Sequence, residues 1–152
     1  MNKNRITSEQ ISALQDNEIF VFGSNLQGEH IGGAALFAYT QFGAIVGQGE
    51  GLQGHSYAIP TCTRSRSTYS GVFCSIRRTI PFANASVMKP YVDRFIEFAK
   101  QHGELHFLVT KVGCGIAGLP INEVAELFKG CVELDNVSLP IEFWSCYMIE
   151  TE

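Results

Sequence analysis

Two runs of strand length, the first continuously apolar, constrain the fold most strongly, because each is followed by a glycine-rich loop and then by a helical pattern. The first run is Ile19-Phe-Val-Phe22, which leads through Gly23-Ser-Asn-Leu-Gln-Gly28 to strong helix formers from Ala34 to Phe42. The second run is Leu105–Val109, which leads through Gly113-Cys-Gly-Ile-Ala-Gly118 to apolar residues at helical spacing. Continuous apolar runs are typical of strands buried on both faces, so the chain predicts an α/β fold with a mostly parallel sheet.

Both glycine loops fall at the carboxyl ends of predicted parallel strands, where ligands of such sheets bind. Nine of the fifteen glycines lie between Gly23 and Gly54, and no lysine or arginine occurs from Ile6 to Thr63. A phosphate held there would be bound by backbone N–H groups and helix N-termini rather than by side-chain cations. The loops therefore predict a pocket for a phosphate-bearing nucleotide. Neither the dinucleotide fingerprint nor the phosphate-binding loop of NTPases is present.

Four side chains near the loops are candidates for chemistry, each with a structural alternative. Asn25 either orients a ribose hydroxyl or a water, or shapes its own loop. Cys114 is either a nucleophile activated at a helix N-terminus or a small thiol that packs the loop. His30 and His55 are either general bases or surface loop histidines.

The remaining elements are predicted from local patterns. A short helix follows a capping box at Thr7 and Gln10, and Gly43 to Gly54 is too rich in glycine for regular structure. The best-defined helix follows a cap at Asn84 or Ser86, has an apolar face and ends at His102-Gly103. Three further strands are predicted at Ser56–Pro60, Val72–Ile76 and Ile141–Met148. A polar loop is predicted at Arg64–Tyr69.

Length and composition indicate a single domain over residues 1–152. The net charge of −4 excludes a general nucleic-acid binder. Four of the eleven basic residues lie between Arg64 and Arg78, where they border either an anionic ligand or solvent. No signal core or membrane-length apolar run is present, so a cytoplasmic location is expected. The five cysteines are widely spaced, and no His or acidic cluster is present, so neither metal nor cofactor is expected.

Taken together, Ile19-Phe-Val-Phe-Gly-Ser-Asn25, Gly32-Gly-Ala-Ala35, Tyr57-Ala-Ile-Pro60 and Val112-Gly-Cys-Gly-Ile-Ala-Gly118 resemble the macrodomain family. The resemblance spans about Ile19 to Phe128. It implies a three-layer α/β/α fold that binds ADP-ribose, which many macrodomains remove from modified proteins or small esters. The second glycine loop is most similar to that of the glycohydrolases that release terminal ADP-ribose from proteins. An ADP-ribose-type ligand or an ADP-ribosylated protein is the partner that this implies.

The resemblance also implies site residues. Asn25 would lie near the distal ribose, and Gly32, Gly33 and Ala34 would wrap that ribose and the diphosphate. The second phosphate loop would comprise Gly113, Cys114, Gly115, Ile116, Ala117 and Gly118.

Departures from the family concern catalysis. One hydrolase branch has an aspartate where this chain has Ala35 and a histidine where it has Tyr39. The terminal ADP-ribose branch has an aspartate at the place of Ala117 and a lysine at that of Thr61 or Cys62.

Recognition of the base is less clearly matched. The acidic residue that would bind the adenine amine has only Asp16 and Glu18 as candidates. Phe42 or Tyr57 would stack on the base.

Three functions therefore stand side by side. The first is ADP-ribose binding with hydrolysis through Asn25 and an ordered water. The second is a non-catalytic ADP-ribose reader that signals to a protein partner. The third is a hydrolase built on Cys114.

Overall fold

Strands and helices alternate along most of the chain. The computed structural model describes residues 5–70, 74–115 and 117–150, and within these it forms six strands and four α-helices. The strands are β1 (Glu18–Asn25), β2 (Gly51–Gln53), β3 (Ser56–Ser70), β4 (Cys74–Pro81), β5 (His106–Val109) and β6 (Val137–Ser138). The α-helices are α1 (Gly33–Gln41), α2 (Lys89–Gln101), α3 (Ile121–Leu127) and α4 (Ile141–Glu150). Short 3-10 helices cover Ala85–Met88 and Lys129–Cys131.

The strands form one sheet in the order β2-β3-β1-β5-β6, and β4 pairs with β3. The central strand β1 runs parallel to both neighbours, with Val21 opposite Tyr57 in β3 and Val109 in β5. β6 is also parallel to β5, whereas β2 and β4 are antiparallel to β3. The predicted α/β class with a mostly parallel sheet is therefore confirmed.

Helices cover both faces of the sheet. On one face Ile19 and Val21 belong to a large core with residues of α2, α3 and α4. On the other face Phe20 and Phe22 pack with residues of α1. Since alternate residues of β1 enter different cores, the unbroken apolar run at positions 19–22 follows directly from this double coverage.

Three predicted helices are confirmed. The first, α1, was expected from Ala34, and the second, α2, follows the 3-10 helix that Asn84 precedes. The third, α3, follows the second glycine loop. The buried positions of α2, Val92, Phe95 and Ala99, recur at three- and four-residue spacing. Fully burying a ring such as that of Phe95 contributes about 1.5–3 kcal/mol, so this face alone anchors α2 to the sheet.

The helix predicted after Thr7 is wrong. Residues 7–15 form neither helix nor strand. The Thr7 N–H donates to Leu139 O (2.9 Å), and Ile6 forms a parallel bridge with Leu139. A capping box is a local pattern of hydrogen bonds at a helix start. Here the backbone of Ile6 and Thr7 pairs with Leu139 instead, and the local pattern does not reveal that tertiary contact.

The strand predicted at Ile141–Met148 is also wrong, because this stretch is α4. Its buried residues Phe143, Trp144 and Tyr147 recur at helical spacing. The strand of this region is β6, which comes directly before the helix.

β3 is longer than its sequence suggests. It passes through Pro60 and includes the Arg64–Tyr69 stretch that was predicted as a loop. The β2 pairing ends at Ala58 and the β4 pairing begins at Cys62, so Pro60 interrupts no ladder on that side. β2 itself lies inside the segment predicted to be irregular. β4 begins at Cys74, and residues 72 and 73 of the predicted strand lie outside the described residues.

Within the described residues, every helix is too short or too polar to cross a lipid bilayer.

Candidate functional site

The site lies where the carboxyl ends of β1 and β5 meet the middle of β3 and the amino end of α1. A cavity of about 200 Å³ opens there. It is lined by six residues predicted for the site, together with residues from the end of β1, the middle of β3 and the segment after β5. The six are Gly32, Gly33, Ala34, Gly113, Gly115 and Ala117. Residues of both glycine loops, which are about eighty residues apart in sequence, therefore line one cavity.

Gly23 allows β1, β3 and the second glycine loop to approach one another closely. A Cβ at this position would lie 3.1 Å from Thr61 Cγ2 and 3.3 Å from the Gly113 nitrogen. Both distances are tighter than ordinary Cβ contacts, so a side chain here would push these segments apart. The glycine that ends the apolar run is thus required for the close approach of its neighbours.

The amino end of α1 suits an anion. Gly32 occupies the N-cap position without a side-chain cap, and Gly33 has a φ of +57°. First-turn N–H groups of a helix have no intrahelical partner, and the helix dipole adds a partial positive charge there. Since Gly33 and Ala34 line the cavity, these N–H groups lie beside any anion bound in it.

The second glycine loop uses part of its backbone internally. The Cys114 N–H donates to Lys111 O (3.1 Å), and the Gly118 N–H donates to Gly115 O (2.9 Å). Among the described residues, Cys114 and Gly118 do not line the cavity. Ile116 lies outside the described residues. Gly113, Gly115 and Ala117 are therefore the residues of this loop that line the cavity, and the ligand contacts of the other three stay predictions.

Asn25 shapes the first loop. Its side chain is buried, its Oδ1 accepts from the Glu29 N–H (3.0 Å), and its Nδ2 donates to Glu29 Oε1 (3.2 Å). This arrangement matches the alternative in which Asn25 shapes its own loop. Asn25 is not among the described residues that line the cavity, so its contact with a ribose or a water stays a prediction.

Cys114 has the properties of a packing thiol. Burial raises its pKa to about 11, and nearby Lys111 offsets this only in part. The thiol therefore stays protonated at neutral pH, whereas a nucleophilic cysteine needs a lowered pKa.

The two candidate bases lie away from the cavity. His30 is 3% exposed, so it is not a surface loop histidine. Its Nε2 lies 3.1 Å from Gln53 Oε1, which also accepts the Ile45 N–H, so Nε2 is the donor. His55 is exposed, and neither histidine is among the described residues that line the cavity.

A second cavity, of about 480 Å³, adjoins the first. The two share Gly33, Ala34, Thr110 and Lys111. The larger cavity is also lined by residues 7–12, Pro140, Glu142 and the aromatic rings of Phe20 and Phe37. The sequence did not reveal this cavity, because its walls come from segments whose proximity only the fold creates. Phe42 and Tyr57, the predicted stacking residues, are instead buried in the two cores.

Two polar atoms of residues that line the larger cavity have no hydrogen-bond partner within the described part of the chain. They are Thr7 Oγ1 and Glu142 Oε2, and both are buried, so these atoms are not themselves exposed to the cavity. Leaving such a group unsatisfied costs about 1–3 kcal/mol. The described hydrogen bonds do not offset this cost.

Lys111 supplies a cation at the junction of the two cavities. Its ammonium lies 3.6 Å from Glu142 Oε1 and 3.9 Å from Glu9 Oε1. The prediction that backbone groups alone would hold a phosphate is therefore incomplete. The available signal was a basic residue two positions before the second glycine loop.

The chain matches no protein-family model and no curated protein sequence.

Proposed function

We propose that the protein binds ADP-ribose, or a related ADP-ribosyl nucleotide, along the groove formed by the two cavities. The observation that carries this proposal is their connection: an aromatic-walled cavity joins a cavity between two glycine loops, and a lysine and a helix N-terminus lie at the junction. A nucleotide-sugar has the matching order of parts, namely a flat base, a diphosphate and a second sugar.

The adenine, the diphosphate and the distal ribose of ADP-ribose each have a counterpart in the groove. The adenine occupies the larger cavity against Phe37, and its volume of about 480 Å³ lies within the usual range for ligand sites. The Glu142 carboxylate accepts a hydrogen bond from the exocyclic amine of the base. This assigns to Glu142 the role for which Asp16 and Glu18 were the sequence candidates.

The diphosphate lies at the junction and the distal ribose beyond it. The N–H groups of Gly33 and Ala34 and the Lys111 ammonium bind the phosphate oxygens. The distal ribose enters the smaller cavity, whose volume of about 200 Å³ suits a single sugar ring. Gly115 and Ala117 close the cavity on its other side.

The fold supports the same proposal. A mostly parallel sheet with helices on both faces, and two glycine loops at the carboxyl ends of its strands, is the arrangement that the macrodomain resemblance implies. We therefore propose a macrodomain-like α/β/α fold for the chain.

The smaller cavity favours recognition over hydrolysis. Its described lining contains neither a carboxylate nor a histidine. Cleavage of a glycosidic bond ordinarily requires such groups to activate water and protonate the leaving group. A non-catalytic reader of ADP-ribose is accordingly the form of the function that we favour, and hydrolysis through Asn25 is the alternative.

Isothermal titration calorimetry with ADP-ribose tests the proposal. We expect saturable binding that Phe37→Ala weakens about tenfold or more, whereas Leu36→Ala, an exposed neighbour on the same helix, leaves it unchanged. The absence of heat at millimolar ADP-ribose would contradict the proposal. If binding is found, ADP-ribosylated protein and ester substrates that stay intact over hours support the reader, and turnover that Asn25→Ala abolishes supports the hydrolase.

A further inference from the structure

A segment without helix or strand forms one wall of the larger cavity. We call residues 8–14 the N-terminal strap. The Thr7 N–H donates to Leu139 O (2.9 Å) before the strap, and the Gln15 N–H donates to Glu18 Oε1 (2.7 Å) after it. Residues 8–12 line the cavity between these two anchors. The strap is thus fastened at both ends and crosses the ligand groove in between.

The strap places an acidic side chain beside the lysine of the groove. Glu9 Oε1 lies 3.9 Å from Lys111 Nζ, and Glu142 contributes a second carboxylate at 3.6 Å. One ammonium and two carboxylates leave a net negative charge at the junction of the cavities. An incoming anion is therefore repelled unless one carboxylate moves away.

Glu9 is the carboxylate that can move. Its side chain is 70% exposed, compared with 29% for Glu142, which lies in the first turn of α4. An exposed ion pair at this distance is weak, whereas the Glu142 side chain is more buried and one of its carboxylate oxygens is inaccessible to solvent. An anion that reaches Lys111 thus displaces Glu9 at little cost and leaves Glu142 in place.

We infer that Glu9 is an internal competitor for Lys111, and that the phosphate groups of the ligand exchange with its carboxylate when they bind. The strap, released at Glu9, then moves relative to the larger cavity. The identity of the ligand as ADP-ribose rests on the proposed function, but the exchange itself requires only an anion at Lys111.

The inference is tested by titrating the full chain with two probes, ADP-ribose and inorganic pyrophosphate, at low ionic strength, where screening is weak. The variants are Glu9→Gln, Lys111→Ala and the double variant. The matched control is Glu104→Gln, which removes the same charge from an exposed residue. Glu104 lies just before β5, at the amino end of that strand, whereas the cavities lie at its carboxyl end.

We expect Glu9→Gln to tighten pyrophosphate binding about two- to fivefold, which is the range for an exposed pair. Glu104→Gln leaves the affinity unchanged, and Glu9→Gln has no effect once Lys111 is alanine. Amide hydrogen exchange in the strap increases when pyrophosphate binds, and folding is checked by circular dichroism for each variant.

The results separate this inference from the proposed function. If ADP-ribose fails to bind while Glu9→Gln still tightens pyrophosphate, the exchange stands and the proposed ligand is wrong. If ADP-ribose binds equally well to the wild type, Glu9→Gln and Glu104→Gln, the exchange is overturned and the ligand stands. Equal effects of the two glutamate variants, or no binding of either probe to any variant, also overturn the exchange.

Discussion

Gly28 and Gln48 are in backbone contact across the two loops that follow β1 and α1. A Cβ on Gly28 would lie 2.5 Å from the Gln48 nitrogen, and the φ of Gly28 is +66°. The Gly28 carbonyl also accepts the Gly47 N–H at 2.8 Å. The first glycine loop is therefore held in place by a contact that only glycine permits.

Replacing Gly28 by alanine is expected to destabilise the protein by about 2–5 kcal/mol. Left-handed backbone costs about 1–2 kcal/mol for alanine, and the overlap with Gln48 adds about 1–3 kcal/mol. Gly47→Ala is the control, because Gly47 has a φ of +98° but no atom within 4 Å of its Cβ position. Urea unfolding of both variants measures the difference. Equal losses would show that the contact contributes nothing beyond backbone strain.

Gly33→Leu is expected to weaken ADP-ribose binding about tenfold or more. Gly33 lines both cavities, so a side chain there competes with the ligand at the junction. The φ of +57° adds a stability cost of about 1–2 kcal/mol, so thermal unfolding is measured alongside affinity. Gly103→Leu, at a site with open space around its Cβ position, is the control. A folded Gly33→Leu variant with wild-type affinity would place the ligand elsewhere.

Glu142 is expected to select for an exocyclic amine on the base. In the proposed complex, the Glu142 carboxylate accepts a hydrogen bond from adenine but repels the carbonyl oxygen of hypoxanthine. The wild type should therefore prefer ADP-ribose over its hypoxanthine analogue by about tenfold or more. In Glu142→Gln that ratio should approach one, since an amide can also donate. A change in how Lys111 binds phosphate would affect both ligands equally, so it does not alter the ratio of the two affinities. A preference that the substitution leaves intact would contradict the role.

Cys114 is expected to react slowly with iodoacetamide at pH 7.5. Burial raises its pKa to about 11, so thiolate forms only as the pH approaches that value. Peptide mass spectrometry gives the rate at this site, and the denatured chain is the reference for an unperturbed thiol. Cys114→Ala should accordingly leave unchanged any ADP-ribosyl hydrolysis that is found. Rapid alkylation of the folded protein near neutral pH would restore the nucleophile hypothesis.

His106 is expected to make stability fall as the pH drops below about 6.5, the ordinary pKa of histidine. Burial lowers the pKa of His106 in the folded chain, with Glu18 acting against this and Arg5 adding to it. The unfolded chain therefore binds the proton first. The contribution of His106 to the free energy of unfolding is complete above the pKa that His106 has in the unfolded chain. It is lost as the pH falls towards the lower pKa that His106 has in the folded chain.

Urea unfolding at pH 7.5 and pH 5.5 checks this dependence. His106→Gln should lose less stability between the two values than the wild type. His55→Gln, at an exposed loop position, should lose as much as the wild type. Identical losses in all three proteins would show that His106 does not contribute.

Local patterns were sufficient for several elements. The apolar run at positions 19–22 and the periodic face of α2 each identify a core-forming segment directly. Three glycines of the nine-glycine region, Gly23, Gly32 and Gly33, line the smaller cavity, and glycines at strand ends commonly serve turns and close approaches. Six of the predicted site residues do line one cavity.

The wrong predictions concern segments whose conformation is determined by contacts with residues distant in sequence. Ile6 and Thr7 pair with Leu139, which is more than a hundred and thirty residues away, so the capping pattern at Thr7 was overridden. The aromatic residues of α4 suit a strand as well as a helix when judged by propensity, and their packing against α3 selects the helix.

The sequence by itself determined the α/β class, the central strand and the position of the glycine loops, since these depend on short-range periodicity and on what glycine alone permits. Only the tertiary structure decided that Lys111, Glu142 and Glu9 meet at one point, and that an aromatic cavity adjoins the loops. Those residues come from three distant segments, and no local pattern encodes the distance between side chains that only folding brings together.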